Sequence, residues 1–180
     1  MKFSLNYFLP FFLLAPSAFF AQSGDEELLE WSAERKLSWA DYKAQPDTES
    51  DAAASTTTYL SIEYNITSNS FGYKIQSRFS KTHSWGLHKT PYILSHEQGH
   101  FDIAEVFARK LHKKMSEYKF NKKTFQKDLK KIYDEVTDEK EKTQNDYDEE
   151  TNHSINKDKQ KEWLRRIEGM LEEYKGYAGY

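Results

Sequence analysis

His96, Glu97 and His100 are spaced His-Glu-x-x-His, and the residues around them repeat at helical intervals. On an α-helix, residues four apart lie one above the other, so both imidazoles can reach one metal ion from the same face. Glu97 projects beside them, where its carboxylate can take a proton from a water that the ion activates. Two imidazoles and a carboxylate in this register form the core of zinc metallopeptidases. The expected chemistry is amide hydrolysis, with His96 and His100 as Zn2+ ligands and Glu97 as general base.

A catalytic zinc takes a third protein ligand and keeps one position open. Geometry excludes the nearest candidates. At about 100° per residue, Asp102 lies some 200° around the helix from His100 and Glu105 roughly 140°, while His112 is about 18 Å along the axis. Ile103 stands where a metzincin turns its chain with glycine, so the helix continues and the third ligand comes from elsewhere. The segment Tyr147-Asp148-Glu149-Glu150-Thr151-Asn152-His153-Ser154 combines a histidine, carboxylates and a tyrosine. His153 is the first choice for the third ligand. Asp148 either binds the metal instead or orients His153. Tyr147 is the candidate donor to the oxyanion of a tetrahedral intermediate. His83 and His88 are weaker alternatives as ligands. Asp102 and Glu105 are expected to pack the helix or to hold a ligating histidine from behind, Asp102 by accepting its outer N–H.

These residues need elements to position them. Pro91 suits a first helical turn, and Phe101, Ala104, Phe107, Ala108, Leu111 and Met115 continue the helical period without a proline to about Lys119. Upstream, Ala52 to Ile66 is rich in Thr, Tyr and Ile, and Phe71 to Phe79 alternates around Phe71, Tyr73, Ile75 and Ser77. Separated by Ser68-Asn69-Ser70, the two runs read as an antiparallel hairpin. An edge of that hairpin near the metal helix would let an extended peptide add as a strand. Ser80 to Thr90 reads as a loop, and the aromatic stretch Lys36 to Tyr42 as an anchor for the N-terminal arm. Phe125, Leu129, Ile132 and Val136 mark a second helix. The charged stretch Thr137 to Glu150 either carries that helix into solvent or forms a mobile connection. Trp163, Ile167, Met170 or Leu171, and Tyr174 mark a last helix. Strands followed by helices indicate an α+β fold: a small antiparallel sheet, the His-Glu-x-x-His helix and two further helices.

Residues 1–21 have the layout of a cleaved export signal: Lys2, then an apolar run from Phe8 to Phe20, then small residues to Ala21. Residues 22–180 then form a single domain, periplasmic or secreted, with no membrane span after cleavage. The chain has no cysteine, which excludes a disulfide-stapled miniprotein and leaves histidine and carboxylate as the zinc ligands. Its net charge of -3 implies no nucleic-acid partner, and the basic stretch Lys119 to Lys131 reads as a solvated helix face.

The extended motif from His96 to Glu105, together with Leu37-Ser38-Trp39-Ala40-Asp41-Tyr42, Ser84-Trp85 and Tyr147-Asp148-x-x-Thr151-x-His153, resembles a bacterial domain-of-unknown-function family of predicted secreted zinc-dependent proteases. The resemblance implies a zincin-like core, an exported peptidase acting on protein or peptide, and a role for the Tyr147 to His153 segment. Ser154 stands where that family's pattern leads one to expect glycine. Two other readings compete with the peptidase. One is a non-catalytic, zinc-stabilised protein-binding module. The other is hydrolysis of a non-peptide amide such as one in the cell wall.

Overall fold

A computed structural model describes residues 26–67 and 71–180. The segment expected to be an export signal and the turn expected at Ser68-Asn69-Ser70 lie outside those residues. The protein is α+β, with strands gathered in the N-terminal half and three helices following. β1 (Leu28–Glu30), β3 (Thr58–Ile66) and β4 (Phe71–Ser80) form an antiparallel sheet in the order β1-β4-β3. The β3–β4 pairing aligns Ile62 with Ile75 and Thr58 with Phe79. The hairpin expectation holds, but its first strand starts later than the composition suggests. Residues 52–57 leave the sheet, and within them β2 (Ala54–Ser55) pairs with β5 (Trp85–Gly86), inside the stretch expected to be pure loop.

α1 (Pro91–Glu117) is the central element, packed between the sheet and the other two helices. Thr90 caps its first turn by accepting the Ile93 N–H at 3.1 Å. Ile103, Val106, Phe107, Leu111 and Met115 are buried with Leu60 and Ile75 of the sheet and with Leu129, Val136, Trp163 and Ile167 of the helices. A smaller cluster of Leu37, Tyr42, Phe79 and Phe101 fastens the N-terminal arm to the first half of α1.

α2 (Phe125–Thr151) runs without a break through the charged stretch. It is not a solvent extension, because Val136, Lys140, Tyr147 and Thr151 are all buried. These positions share one face at helical spacing, and that face packs on α1. The abundance of Lys, Asp and Glu on the other faces hides this stripe from a reading of apolar periodicity. α3 (Lys157–Glu173) starts at the Asn156 cap and buries Gln160, Trp163 and Ile167. Among the described residues, no helix is long and apolar enough to cross a membrane.

Candidate metal centre

The crossing of α1 and α2 builds the site. His96 and His100 rise from the first turns of α1, and Asp148 comes from the last turn of α2. Asp148 Oδ1 lies 3.1 Å from His96 Nε2 and 3.1 Å from His100 Nε2, and the two nitrogens are 3.2 Å apart. Ligands at about 2.0–2.1 Å from a tetrahedral zinc stand roughly 3.3 Å from one another, so this spacing fits one ion. Among the described residues, this is the group of three His, Asp or Glu side chains that converges in this way.

The protonation states fit as well. Gln144, one turn before Asp148, accepts from His100 Nδ1 at 2.5 Å and donates its amide to the His100 carbonyl at 3.0 Å. This grip leaves the Nε2 of neutral His100 as a lone pair facing the cluster. Burial drives the Asp148 pKa upward, but hydrogen bonds and charge from His100 and His96 outweigh it and hold the carboxyl well below its usual range. Burial likewise opposes charge on His100, while Asp148 raises its pKa by hydrogen bond and charge, with the net direction upward. The Asp148 carboxylate between the two imidazoles thus favours positive charge at this point.

The structure places Asp148, rather than His153, in the three-residue cluster with His96 and His100. His153 Nδ1 is 3.7 Å from Asp148 Oδ1, and its side chain is 64% exposed at the rim. The reason is where α2 ends. Position 148 still lies on the helix, in phase with Gln144, whereas 153 lies beyond the left-handed cap at Asn152. Asn152, His153 and Ser154 all have positive φ, at 49°, 49° and 72°. Asparagine tolerates this region, but serine pays a steric penalty that glycine avoids. Replacing Ser154 by Gly is expected to stabilise the protein by about 0.5–1 kcal/mol, since the relief of strain exceeds glycine's added chain entropy. Thermal unfolding measures it, and a lower melting temperature would refute it.

Tyr147 also has a different place from the one expected. It is fully buried and stacks on the His96 ring at 4.5 Å between centroids. Its hydroxyl donates to the His96 carbonyl at 3.2 Å. Burial and the Glu97 charge push its pKa well above the ordinary phenol value. With its proton committed to the helix backbone, it packs against both imidazole rings and is not among the residues that line the cleft. The packing also explains Gly99 within the motif, because a β-carbon there would stand 2.6 Å from the Tyr147 hydroxyl oxygen.

Asp102 does not hold a ligating histidine. It accepts from Trp31 Nε1 and from Gln98 Nε2, each at 2.7 Å, and Lys36 Nζ lies 3.3 Å away. Gln98 in turn accepts the Leu37 N–H at 2.7 Å. The back of the motif therefore clamps the N-terminal arm. Glu105 pairs with Arg109 at 2.8 Å and accepts from the Tyr180 hydroxyl. His83 is engaged with Glu26 and Ser80, away from the cluster, and His88 is not part of the cluster either.

Glu97 is 4% exposed and points into the same cleft, a cavity of about 480 Å3. The wall opposite α2 is the segment 52–58, with Trp85 alongside. From that wall, Thr56 donates to Glu97 Oε2 at 2.6 Å, and the Tyr42 hydroxyl lies 2.9 Å from Thr56 Oγ1. Thr56 has one hydroxyl proton and gives it to the carboxylate, so Tyr42 is the donor in the second bond. Tyr42 was read from the sequence only as part of the aromatic anchor, and a threonine within Ser55-Thr56-Thr57-Thr58 carries no local signal of this role. Gln144 did have one, since it precedes Asp148 by four on the same helical face.

No curated protein and no solved structure matches the chain. A family model does match it, over residues 24–154, which hold every residue of this centre: the chain belongs to DUF922, a bacterial family of proteins of unknown function.

Proposed function

We propose that the protein is an exported zinc-dependent peptidase in which His96, His100 and Asp148 hold the ion and Glu97 is the general base. The observation that carries the reading is the convergence of three ligand atoms at 3.1–3.2 Å beside a buried carboxylate at the floor of a cleft. Bound there, zinc supplies Lewis acidity that lowers the pKa of a water from about 15.7 towards roughly 7 and polarises a scissile carbonyl. Glu97 takes the water's proton and delivers it to the leaving amine. Thr56 fixes Oε2 of that carboxylate, which leaves Oε1 for the proton transfer. Gln144 holds His100 in its metal-binding tautomer, and Tyr147 fixes the plane of His96. Export rests on the apolar run from Phe8 to Phe20.

The rival reading, a zinc-stabilised binding module, draws on the position of His153. A fourth protein ligand would close the site, whereas catalysis needs an open position. Zinc content and hydrolysis of a mixed peptide library, measured on the protein and on H153A, decide between them. The peptidase reading expects one zinc per chain in both proteins and hydrolysis by the parent. Zinc bound without hydrolysis, and lost in H153A, would overturn it in favour of the closed module.

Thr56 is a positioning residue in this scheme. T56V is expected to lower kcat about tenfold, or roughly 1.4 kcal/mol, with KM and zinc content unchanged. T56S, which keeps the hydroxyl, is expected to restore the rate. A T56S variant as slow as T56V would show that only packing is at stake.

A further inference from the structure

The cleft over the metal centre does not end at His153. A second cavity, of about 740 Å3, shares Ser50, Ala52, Ala53, His153 and Ser154 with it. The two form one trough, with residues 50–58 along one side and the three-ligand centre part of the way along the other. The ends of the trough differ in chemistry.

Beyond His153, the walls are Tyr92, Ile93 and Ile155. Ile155 is 73% exposed, the most exposed of the large hydrophobic side chains among the described residues. It is not on a loose tip. The turn carrying it is tied down by Tyr92, whose hydroxyl donates to the Ser154 carbonyl at 2.8 Å, and by the Ile155 N–H donating to the Asn152 carbonyl at 3.0 Å. An apolar side chain held rigidly in water at the mouth of a cleft is suited to receive another apolar side chain. Lys157 lies over the Tyr92 ring at 5.6 Å and borders this end without closing it.

At the other end stands Lys140. Its side chain is 8% exposed, lines the cleft, and has Glu141, itself 66% exposed, as its ion-pair partner at 2.8 Å. An ammonium group has three donors, so Lys140 can take a second carboxylate. Lys140, Gln144 and Asp148 form one row on α2. Eight residues of helix separate Lys140 from the ligand, about 12 Å. An extended chain covers that distance in three to four residues at roughly 3.3 Å each. Enzymes that trim a chain from its C-terminus need a cation close to the scissile bond to hold the terminal carboxylate. Here the cation is several residues away, and the trough continues past the centre on both sides.

Building on the peptidase reading above, we propose that the trough is an endopeptidase groove for extended polypeptide. It seats an apolar side chain against Ile155, Ile93 and Tyr92 on one side of the scissile bond. On the other side, Lys140 binds an acidic side chain three to four residues away.

The test uses the zinc-loaded protein and a library of N-acetylated, C-amidated peptides, with products identified by mass spectrometry. Internal cuts in blocked peptides are expected, with apolar residues enriched next to the bond on one side and Asp or Glu enriched three to four residues away on the other. K140E should replace the acidic preference by Lys or Arg. I155D, at an exposed position that leaves the fold intact, should lower kcat/KM for the favoured peptides at least about tenfold. Binding of the same peptides to E97Q, followed by intrinsic tryptophan fluorescence, to which Trp85 in the cleft contributes, should weaken in parallel when K140E or I155D is added. Cleavage confined to unblocked ends, or a profile unmoved by both variants, would overturn this inference and leave the peptidase reading intact. Failure of the parent protein to cut any peptide would sink that reading, and this inference with it.

Discussion

E97Q is expected to bind zinc as the parent does and to lose between about 10²- and 10⁴-fold in kcat, the range general acid–base catalysis supplies. The structure makes the variant clean. Glu97 is buried, so a glutamine of nearly the same shape opens no cavity. The amide oxygen can still accept from Thr56, which preserves the Tyr42–Thr56 chain that shapes the cleft wall. What is lost is the proton-accepting oxygen. KM and melting temperature should change little, because the substitution leaves the trough and the ligand cluster in place. Steady-state kinetics and metal analysis on the same preparation check it. Full activity in E97Q would mean that the proton goes elsewhere and that the proposed mechanism is wrong.

The second large effect is on the metal itself. D148A should weaken zinc binding by more than about 100-fold, beyond the 10–100-fold typical of residues that only support a ligand. Asp148 Oδ1 lies 3.1 Å from the Nε2 of both imidazoles, and it is the charged oxygen of the three-atom cluster. Without it, His96 and His100 remain as a two-ligand site. H153A is the control, with affinity expected to stay within a few-fold of the parent. A competition titration against a chelator reads both. The reverse pattern, loss in H153A and retention in D148A, would move the third ligand to the rim. The same titration carries a pH signature. The His100 pKa is raised in the metal-free protein, chiefly by Asp148 against the opposing pull of burial. Protons therefore compete for this nitrogen from a higher pH than they would for an ordinary histidine, and zinc affinity should begin to fall correspondingly early as pH drops. In D148A that early onset should disappear.

The placement of the two imidazoles and of Glu97 was legible in the sequence because it is a local matter. Positions 96, 97 and 100 lie within about one turn of a single helix, and helical geometry fixes their relation whatever surrounds it. The hairpin and the last helix were legible for the same reason, since alternation and the 3.6-residue period act over a few neighbours. The third member of the cluster was not. Choosing between Asp148 and His153 depended on where α2 stops, and charged outer faces masked the buried stripe of Val136, Lys140, Tyr147 and Thr151 that carries the helix to residue 151. Once the helix continues, 148 falls in phase with 144 towards α1, and 153 falls past the left-handed cap. Tyr147 changed role with the same shift, from a donor facing the cleft to a ring packed between His96 and Trp163. Thr56, 41 residues away from Glu97, had no sequence signature, because its partner is set by how residues 52–57 cross the mouth of the site. Helix and strand periods reveal which residues share a face. Only the packing of one element on another decides which faces meet, and at this centre that meeting brings Asp148 to the two imidazoles and Thr56 to Glu97.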